Sequence, residues 1–290
     1  MRKYLFLLYI FLIILFWISP VQAEIGGVFP RFSWSGRYYG TSLEGVSLND
    51  PFAITYNPAY SQNISNKIGI EQRDIFGMKY TAFSLIKDDY GSYLIINQSP
   101  DGLEFNYNTY RWGNVYALNW RDFTVGVKGE LLALTVTDIP DQSDYNASGY
   151  NVELGFDYRY KVQKDYVEEI FISLLAANIY NQLEYSTGTA EAVARPGYGL
   201  ALGGKRGGLT AAFNLEKEEK GGLKYNLGLD YVYDEFSEEI IDSIDLGLGY
   251  NSDRTISAGF GVGFRGYKFN YGYRFDKEEI QQTISTSFSY

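Results

Sequence analysis

The 290-residue chain contains no cysteine and no histidine. Without cysteine there is no disulfide framework, although that absence assigns no redox compartment. Without either residue, Ser-His-Asp and Cys-His triads cannot be assembled, and neither can ordinary zinc sites. Positive charge is also short, with 25 Lys and Arg against 35 Asp and Glu for a formal charge of −10. An acidic chain with no basic cluster on one face is a poor nucleic-acid binder. Beyond Ile18 no long apolar run remains, which excludes a bundle of membrane-spanning helices. The glycine-rich "GLGY" and "GFGVGF" have no lysine and no following helix, so no phosphate loop is indicated. Carboxylate pairs stay formally open as chemistry. "EKEEK" (Glu216–Lys220) and "DKEE" (Asp276–Glu279) sit where strands should turn, however, and are most simply solvated loop charge. No enzyme, cofactor or metal is expected.

Tyrosine and glycine are abundant, at 28 and 31 residues, and together they favour β-structure with many turns. The first 23 residues are set apart from the fold. Arg2 and Lys3 precede an apolar run from Leu5 to Ile18, and Pro20-Val21-Gln22-Ala23 supplies a turn former and small residues before a cut. That is the layout of a secretory signal peptide, with cleavage expected after Ala23. The rival is a retained anchor, but the run is short of the roughly 20 residues a spanning helix needs.

From about residue 65 to the end, segments of period 2 follow one another. "YKFNYGYRFD" places Tyr267, Phe269, Tyr271, Tyr273 and Phe275 on one parity, and Lys268, Asn270, Gly272, Arg274 and Asp276 on the other. "LKYNLGLDYVY", "NVELGFDYRY" and "ISAGFGVGF" repeat the scheme. Side chains alternate faces along a strand, so each segment has one apolar face and one face of glycine and single charges. Turn chemistry is read at Gly113-Asn114, Lys205–Gly208, Gly221-Gly222, Asn251–Asp253 and Arg265-Gly266. Longer polar gaps are read at Thr137–Tyr150 and Asn178–Pro196. About fifteen candidate strands of roughly 8–12 residues result, a length suited to tilted membrane strands.

The orientation of the apolar face follows from what each face could touch. A barrel of about fourteen strands has a lumen too wide for inward aromatics to fill, and a soluble outer face would favour Lys, Glu and Thr. Placing the apolar face outward against lipid removes both difficulties. Tyr160, Tyr233 and Tyr250 would then form an interfacial girdle. Glu153, Asp157, Arg159, Lys224, Asp230 and Arg274 would face the lumen as braces or pore-tuning groups, and their mixed signs favour braces. The expected fold is all-β: a transmembrane antiparallel barrel of about 14 strands (12–16 possible), even in number, so one candidate does not span. Residues 65–290 form the barrel. Residues 24–64, Gly-rich and carrying Pro30, Pro51 and Pro58, form an irregular hatch-like segment. Outer-membrane lipid and the barrel-assembly machinery are the implied partners.

"NDPFAITYNPAY", Asn49 to Tyr60, is the most specific stretch. It resembles the N-terminal segment of the FadL superfamily and its PorV/PorQ-type relatives, where an Asp-Pro run leads to an Asn-Pro-Ala triplet before the first strand. Asn57, Pro58 and Ala59 match that triplet, although Tyr60-Ser61 stands where the family often has Gly-Leu. "YALNWRDFTVGVKGELLAL", "GFDYRY" and "SLLAANI" follow in the family's order. The resemblance implies a fourteen-stranded outer-membrane barrel that binds or passes small hydrophobic molecules, with Phe52, Ile54 and Tyr56 as candidate ligand contacts. It equally admits a partner of a secreted protein in secretion or surface assembly, and a simple structural or diffusion barrel is the third alternative. From the residues alone, Pro58 holds Asn57 out of the helical region and Asn57 caps its own turn, so the triplet bends the chain.

The last segment, "IQQTISTSFSY", alternates to a terminal aromatic, with Phe288 two residues before Tyr290. This resembles the C-terminal recognition signal of outer-membrane barrels. Deleting Tyr290 should lower barrel yield several-fold while leaving export intact, as read by heat-modifiable gel mobility of the membrane fraction. Unchanged yield would remove the signal role.

Overall fold

The structure, a computed structural model, describes residues 36–43, 48–64, 66–75, 78–99, 106–138, 144–164, 166–192, 196–218, 222–236, 240–275 and 280–290. The expected signal peptide, residues 24–35 and 44–47 of the N-terminal segment, and the "DKEE" turn lie outside them. The strands are β1 (Lys67–Ile75), β2 (Met78–Lys87), β3 (Tyr90–Gln98), β4 (Asn106–Trp120), β5 (Phe123–Thr137), β6 (Tyr145–Lys164), β7 (Val167–Tyr185) and β8 (Ala190–Glu191). They continue as β9 (Gly197–Arg206), β10 (Leu209–Glu218), β11 (Leu223–Tyr233), β12 (Ser243–Asn251), β13 (Ile256–Phe264), β14 (Tyr267–Phe275) and β15 (Ile280–Ser289). Neighbours in sequence pair antiparallel, and β7 passes over the two-residue β8 to pair with β9. β1 pairs with β15 from Lys67↔Ser289 to Asp74↔Gln282, closing the ring. Among the described residues fifteen strands form, fourteen of them make the barrel, and the short β8 does not join it. Closure gives each of the fourteen ring strands a neighbour on both sides, as a lipid-embedded sheet requires.

The apolar face points outward. In β11, Leu227, Leu229 and Tyr231 are 47%, 47% and 43% exposed, while Gly228 and Asp230 between them are buried. In β14, Tyr267, Phe269, Tyr271 and Phe275 are exposed and Asn270 and Gly272 are buried. One end of the barrel turns tightly, through residues 88–89, 121–122, 207–208 and 265–266. The connections at the other end, the loop end, include 99–105, 138–144 and 186–196.

Three sequence readings are corrected. "EKEEK" is not all turn, because β10 runs to Glu218 and Glu216 faces inward, where it accepts from the Tyr56 hydroxyl at 2.5 Å. Gly113-Asn114 is no turn, because β4 runs straight through it. Gly113 faces inward where the Tyr93 ring occupies the space of a Cβ, and Asn114 faces outward and accepts a hydrogen bond from the Tyr90 hydroxyl. The polar gaps are also shorter than expected, since β6 begins at Tyr145 and β7 persists to Tyr185. β4 and β5 have 15 residues each, β6 has 20 and β7 has 19, against 9–11 for the other ring strands. A tilted strand crosses a bilayer in about 9–11 residues, so these four stand above it at the loop end.

Their polarity reverses where they emerge. In β5 the outward Val125, Val127 and Leu131 are exposed, with Thr124, Lys128 and Glu130 inward and buried. Beyond Leu131 the inward positions become Leu132, Leu134 and Val136, all buried. They cluster with Ala147 of β6, Leu183 of β7 and the partly buried Tyr107, Tyr145 and Tyr185. Outward positions there are polar, as at Asn146, Ser148 and Glu184. β6 and β7 carry a register shift at the same height, between Val152↔Tyr180 and Leu154↔Ala176, with Asn178 at φ 53°.

The described part of the N-terminal segment contains no strand. It forms α1 (Gly36–Thr41), α2 (Ala53–Tyr56) and the 3-10 turn η1 (Pro58–Asn63), and it lies inside the barrel. α1 packs on β12–β15 and η1 on β4–β6. Leu229→Arg should cost roughly 2–4 kcal/mol if Leu229 lies near the bilayer midplane, and the inward-parity Val232→Ser much less. Unfolding titrations in lipid compare them, and a larger loss from Val232→Ser would reverse the two faces.

Candidate functional site

The plug is built by local hydrogen bonding. Asp50 accepts from the Phe52 amide (2.9 Å) through its side chain and from the Ala53 amide (3.0 Å) through its carbonyl. Asn57 is extended, at φ −131° and ψ 118°, and its Oδ1 accepts from the Ala59 amide at 3.0 Å, with Pro58 opening η1. That is the self-capped bend expected of Asn-Pro, since the residue before proline avoids the helical region and proline tolerates the first helical position.

The wall receives this chain through glycines. Gly126 and Gly155 are paired across β5 and β6, and a Cβ on either would overlap Asn57, Pro58 or Ala59. Gly228 and Gly249 are paired across β11 and β12, and a Cβ on either would overlap the Thr41 carbonyl. Gly69 accommodates Pro51 and Phe52, and Gly91 accommodates Ile54. The glycine of the inward face is therefore space for backbone and side chains of the plug.

Polar straps fix the plug in rotation and height. The Arg37 guanidinium donates to both oxygens of Asp230, at 3.1 and 2.5 Å, and to the Leu48 carbonyl at 2.6 Å. Asp245 lies 3.9 Å from Arg37 and also pairs with Lys268. Lys128 of β5 donates to the Thr55 carbonyl at 2.7 Å and pairs with Glu153 at 2.7 Å. Beside it Arg111 pairs with Glu130 at 2.6 Å, and Glu130 also accepts from Tyr93 and Asn151. At the base Asn63 donates to Asp157 at 2.8 Å, and Arg159 bridges Asp157 and Glu169 at 2.8 Å each. Burial pushes the Tyr60 phenol well above its ordinary range, and the Asp157 carboxylate adds to the rise. Breaking a buried pair by removing one partner typically costs about 3–5 kcal/mol, so these contacts hold position strongly even where they add little net stability.

Phe52, Ile54 and Tyr56, the candidate ligand contacts, are buried in a core shared by the plug and the barrel wall. Phe52 meets β1 at Gly69, Ile54 meets β3 at Gly91, and the Tyr56 hydroxyl donates to Glu216 of β10 at 2.5 Å. Asn57, Pro58 and Ala59 come together at the β5–β6 glycine pair, and Asn57 also donates to the Leu174 carbonyl at 3.3 Å. Phe288 stacks on Tyr267 with centroids 4.6 Å apart, and the Tyr290 hydroxyl donates to the Ile86 carbonyl at 3.1 Å. Among the lumen charges read from sequence, Glu153, Asp157, Asp230 and Arg159 are braces. Lys224 is exposed toward the loop end, and Arg274 is half-buried there. Arg37, Arg111, Lys128 and Glu130 were not singled out, although strand parity marks the last three as inward. A cavity of 210 Å³ lies at the rim of the shorter wall, bounded outward by Leu174, Leu200 and Leu215 and inward by Leu175, Gly199 and Glu216.

No protein-family model and no curated protein matches this sequence. Solved structures do match. The CymD monoaromatic hydrocarbon channel aligns with TM-score 0.56 and 13% identity over 91% of this chain and 99% of that one. The P. putida toluene transporter TodX aligns with TM-score 0.56 and 9% identity over 90% and 99%. A Pseudomonas aeruginosa FadL homologue aligns with TM-score 0.50 and 10% identity over 87% and 97%. The barrel therefore has the fold of FadL-type hydrocarbon channels.

Gly126→Val should push Pro58–Asn63 off the wall, because its new side chain meets backbone that cannot rotate away. Overpacking of this kind costs roughly 1–3 kcal/mol. The barrel should keep its heat-modifiable mobility while single-channel conductance in planar bilayers rises above wild type. Unchanged conductance would mean that the plug does not set the permeability.

Proposed function

We propose that this protein is an exported outer-membrane barrel that binds and passes small hydrophobic molecules. The observation that carries the reading is the polarity reversal at the loop end. Leu132, Leu134, Val136, Ala147 and Leu183 pack into a closed apolar cluster on the inward face, which a ligand enters by displacing part of that packing, above a lumen whose described polar groups are largely engaged with one another and with the plug. Outer-membrane barrels turn tightly on the periplasmic side and carry longer loops outside, so this apolar rim is the extracellular mouth. A single-ring molecule burying roughly 200 Å² there gains about 5 kcal/mol before the cost of association. That is enough for capture and weak enough for release. The hydrocarbons named for CymD and TodX are molecules of this class. Phe52, Ile54 and Tyr56 enter the proposal as deeper contacts, made when the plug yields. Phe288 and Tyr290 enter as the assembly signal, and Ala23 as the end of the cleaved leader.

Toluene binding to detergent-solubilised protein, measured calorimetrically, tests the reading. Wild type should bind toluene, and Leu134→Asp or Leu183→Asp should weaken binding about ten-fold, since a buried carboxylate replaces apolar contact. Gel mobility should confirm that both variants still form barrels. Wild-type protein that binds no hydrocarbon, or that purifies with a secreted polypeptide on its mouth, would overturn the proposal.

A further inference from the structure

Strand pairing lines the outward side chains of β7, β9 and β10 into two rows near the loop end of the shorter wall. In the first row Leu174 of β7 lies beside Leu200 of β9, and Leu200 beside Leu215 of β10. One pair nearer the loop end, Tyr198 of β9 lies beside Lys217 of β10, and Lys217 beside Leu223 of β11. These residues line the outer side of the 210 Å³ cavity at the rim. Leu174, Tyr198, Leu200 and Leu215 are half-buried there, whereas the outward Leu246 and Leu248 of β12 are 52% and 59% exposed. The outer surface is therefore recessed at this point, and the lining faces the membrane. Lys217 is exposed, and among the described residues it is the one cation at an outward position in the loop-end half of β9–β15. A cation on a lipid-facing wall is costly in hydrocarbon and is tolerated near an interface, where the long stem carries the ammonium to the headgroups.

We propose that this recess is a binding site for one phosphate-bearing lipid of the outer leaflet, with an acyl chain against Leu174, Leu200 and Leu215 and the headgroup phosphate paired with Lys217. β9 and β10 have 10 residues each, a length that just spans a bilayer, so their loop-end residues lie at the headgroups. The two rows then stand in the order that a lipid needs. The leucine row is deeper in the membrane, and the Tyr198–Lys217 row lies at its surface. Tyr198 turns its ring to the chain and its hydroxyl to the interface, as aromatic residues do at that depth. A hydrocarbon cargo has no group for Lys217. A second copy meeting the recess about a two-fold axis would oppose recess to recess and Lys217 to Lys217, leaving the space unfilled. The site rests on the outer-membrane placement proposed above and is independent of hydrocarbon passage.

The probes are dioleoyl phosphatidic acid and dioleoylglycerol, which share their chains and differ by the phosphate. Each is added to the detergent-solubilised full chain and counted on the barrel by native mass spectrometry. Wild type should retain one phosphatidic acid at least about five-fold more tightly than the diacylglycerol, the scale of one lysine's attraction to an anionic membrane surface. Lys217→Gln should remove that preference and leave diacylglycerol retention unchanged. Leu200→Trp, which fills the recess and keeps the ammonium, should weaken both lipids about ten-fold by excluding part of the chain. Leu248→Trp, on the same outward face away from the recess, should change neither. Equal retention of the two lipids by wild type, or retention indifferent to both Lys217→Gln and Leu200→Trp, would overturn the site. So would a dimer of the chain that Leu200→Trp dissolves, since the recess would then belong to a second copy. None of these results alters toluene binding at the mouth, so the lipid site and the hydrocarbon reading fail separately.

Discussion

The close approach of the plug to paired glycines is the constraint on which the other features depend. Gly126–Gly155 and Gly228–Gly249 hold the two ends of the plug on different walls, at Asn57–Ala59 and at Thr41. Any side chain at these four positions would hold the plug away from the wall, beyond the reach of the polar groups that strap it. With them bare, Lys128 reaches the Thr55 carbonyl and Asp230 reaches Arg37. The contacts are then short, dry and specific. Close-packed interiors transmit such constraints because they have few voids to absorb a displacement.

The ionic groups are best understood as address labels on that seat. Arg37 finds carboxylates on β11 and β12, while Lys128 and Asn63 tie the other end to β5 and β6. Each buried pair sacrifices hydration, so its net contribution to stability is modest, but misplacing one partner strands a charge. The plug is thereby fixed in register more firmly than apolar packing alone would achieve. Against this polar interior, the outward rings and leucines meet a solvent that asks only for apolar surface, and they are correspondingly interchangeable in kind.

Much of this was legible in the chain. Strict alternation fixed the facing of β11 and β14, and the excess of Gly on the polar parity pointed to a crowded lumen. Asn57-Pro58 announced a bend that the structure reproduces in its dihedrals. What escaped has physical causes. Gly113-Asn114 has turn composition, yet its glycine is set by the Tyr93 ring packed against it from β3, a partner far away in sequence. The reversal in β5 was written as the doublet Leu131-Leu132, where the apolar pattern changes parity because Leu132, Leu134 and Val136 pack against β6 and β7 inside. The recess at Leu174, Leu200 and Leu215 is invisible in sequence, because only strand pairing brings the three together.

The ring closes between chain segments at opposite ends of the protein, as in the bond from Thr283 of β15 to Glu71 of β1 across 212 residues. Such non-local pairing is slow, because loop-closure entropy opposes it until the last contacts form. The plug precedes β1 in the chain, yet Arg37 and Thr41 sit on β11 and β12, which are made late. A sheet that curls shut around a segment already in place needs no threading step. The seat for Thr41 needs only the pairing of Gly228 with Gly249 across β11 and β12, so a plug seated there is already on the wall that the β1–β15 pairing then shuts.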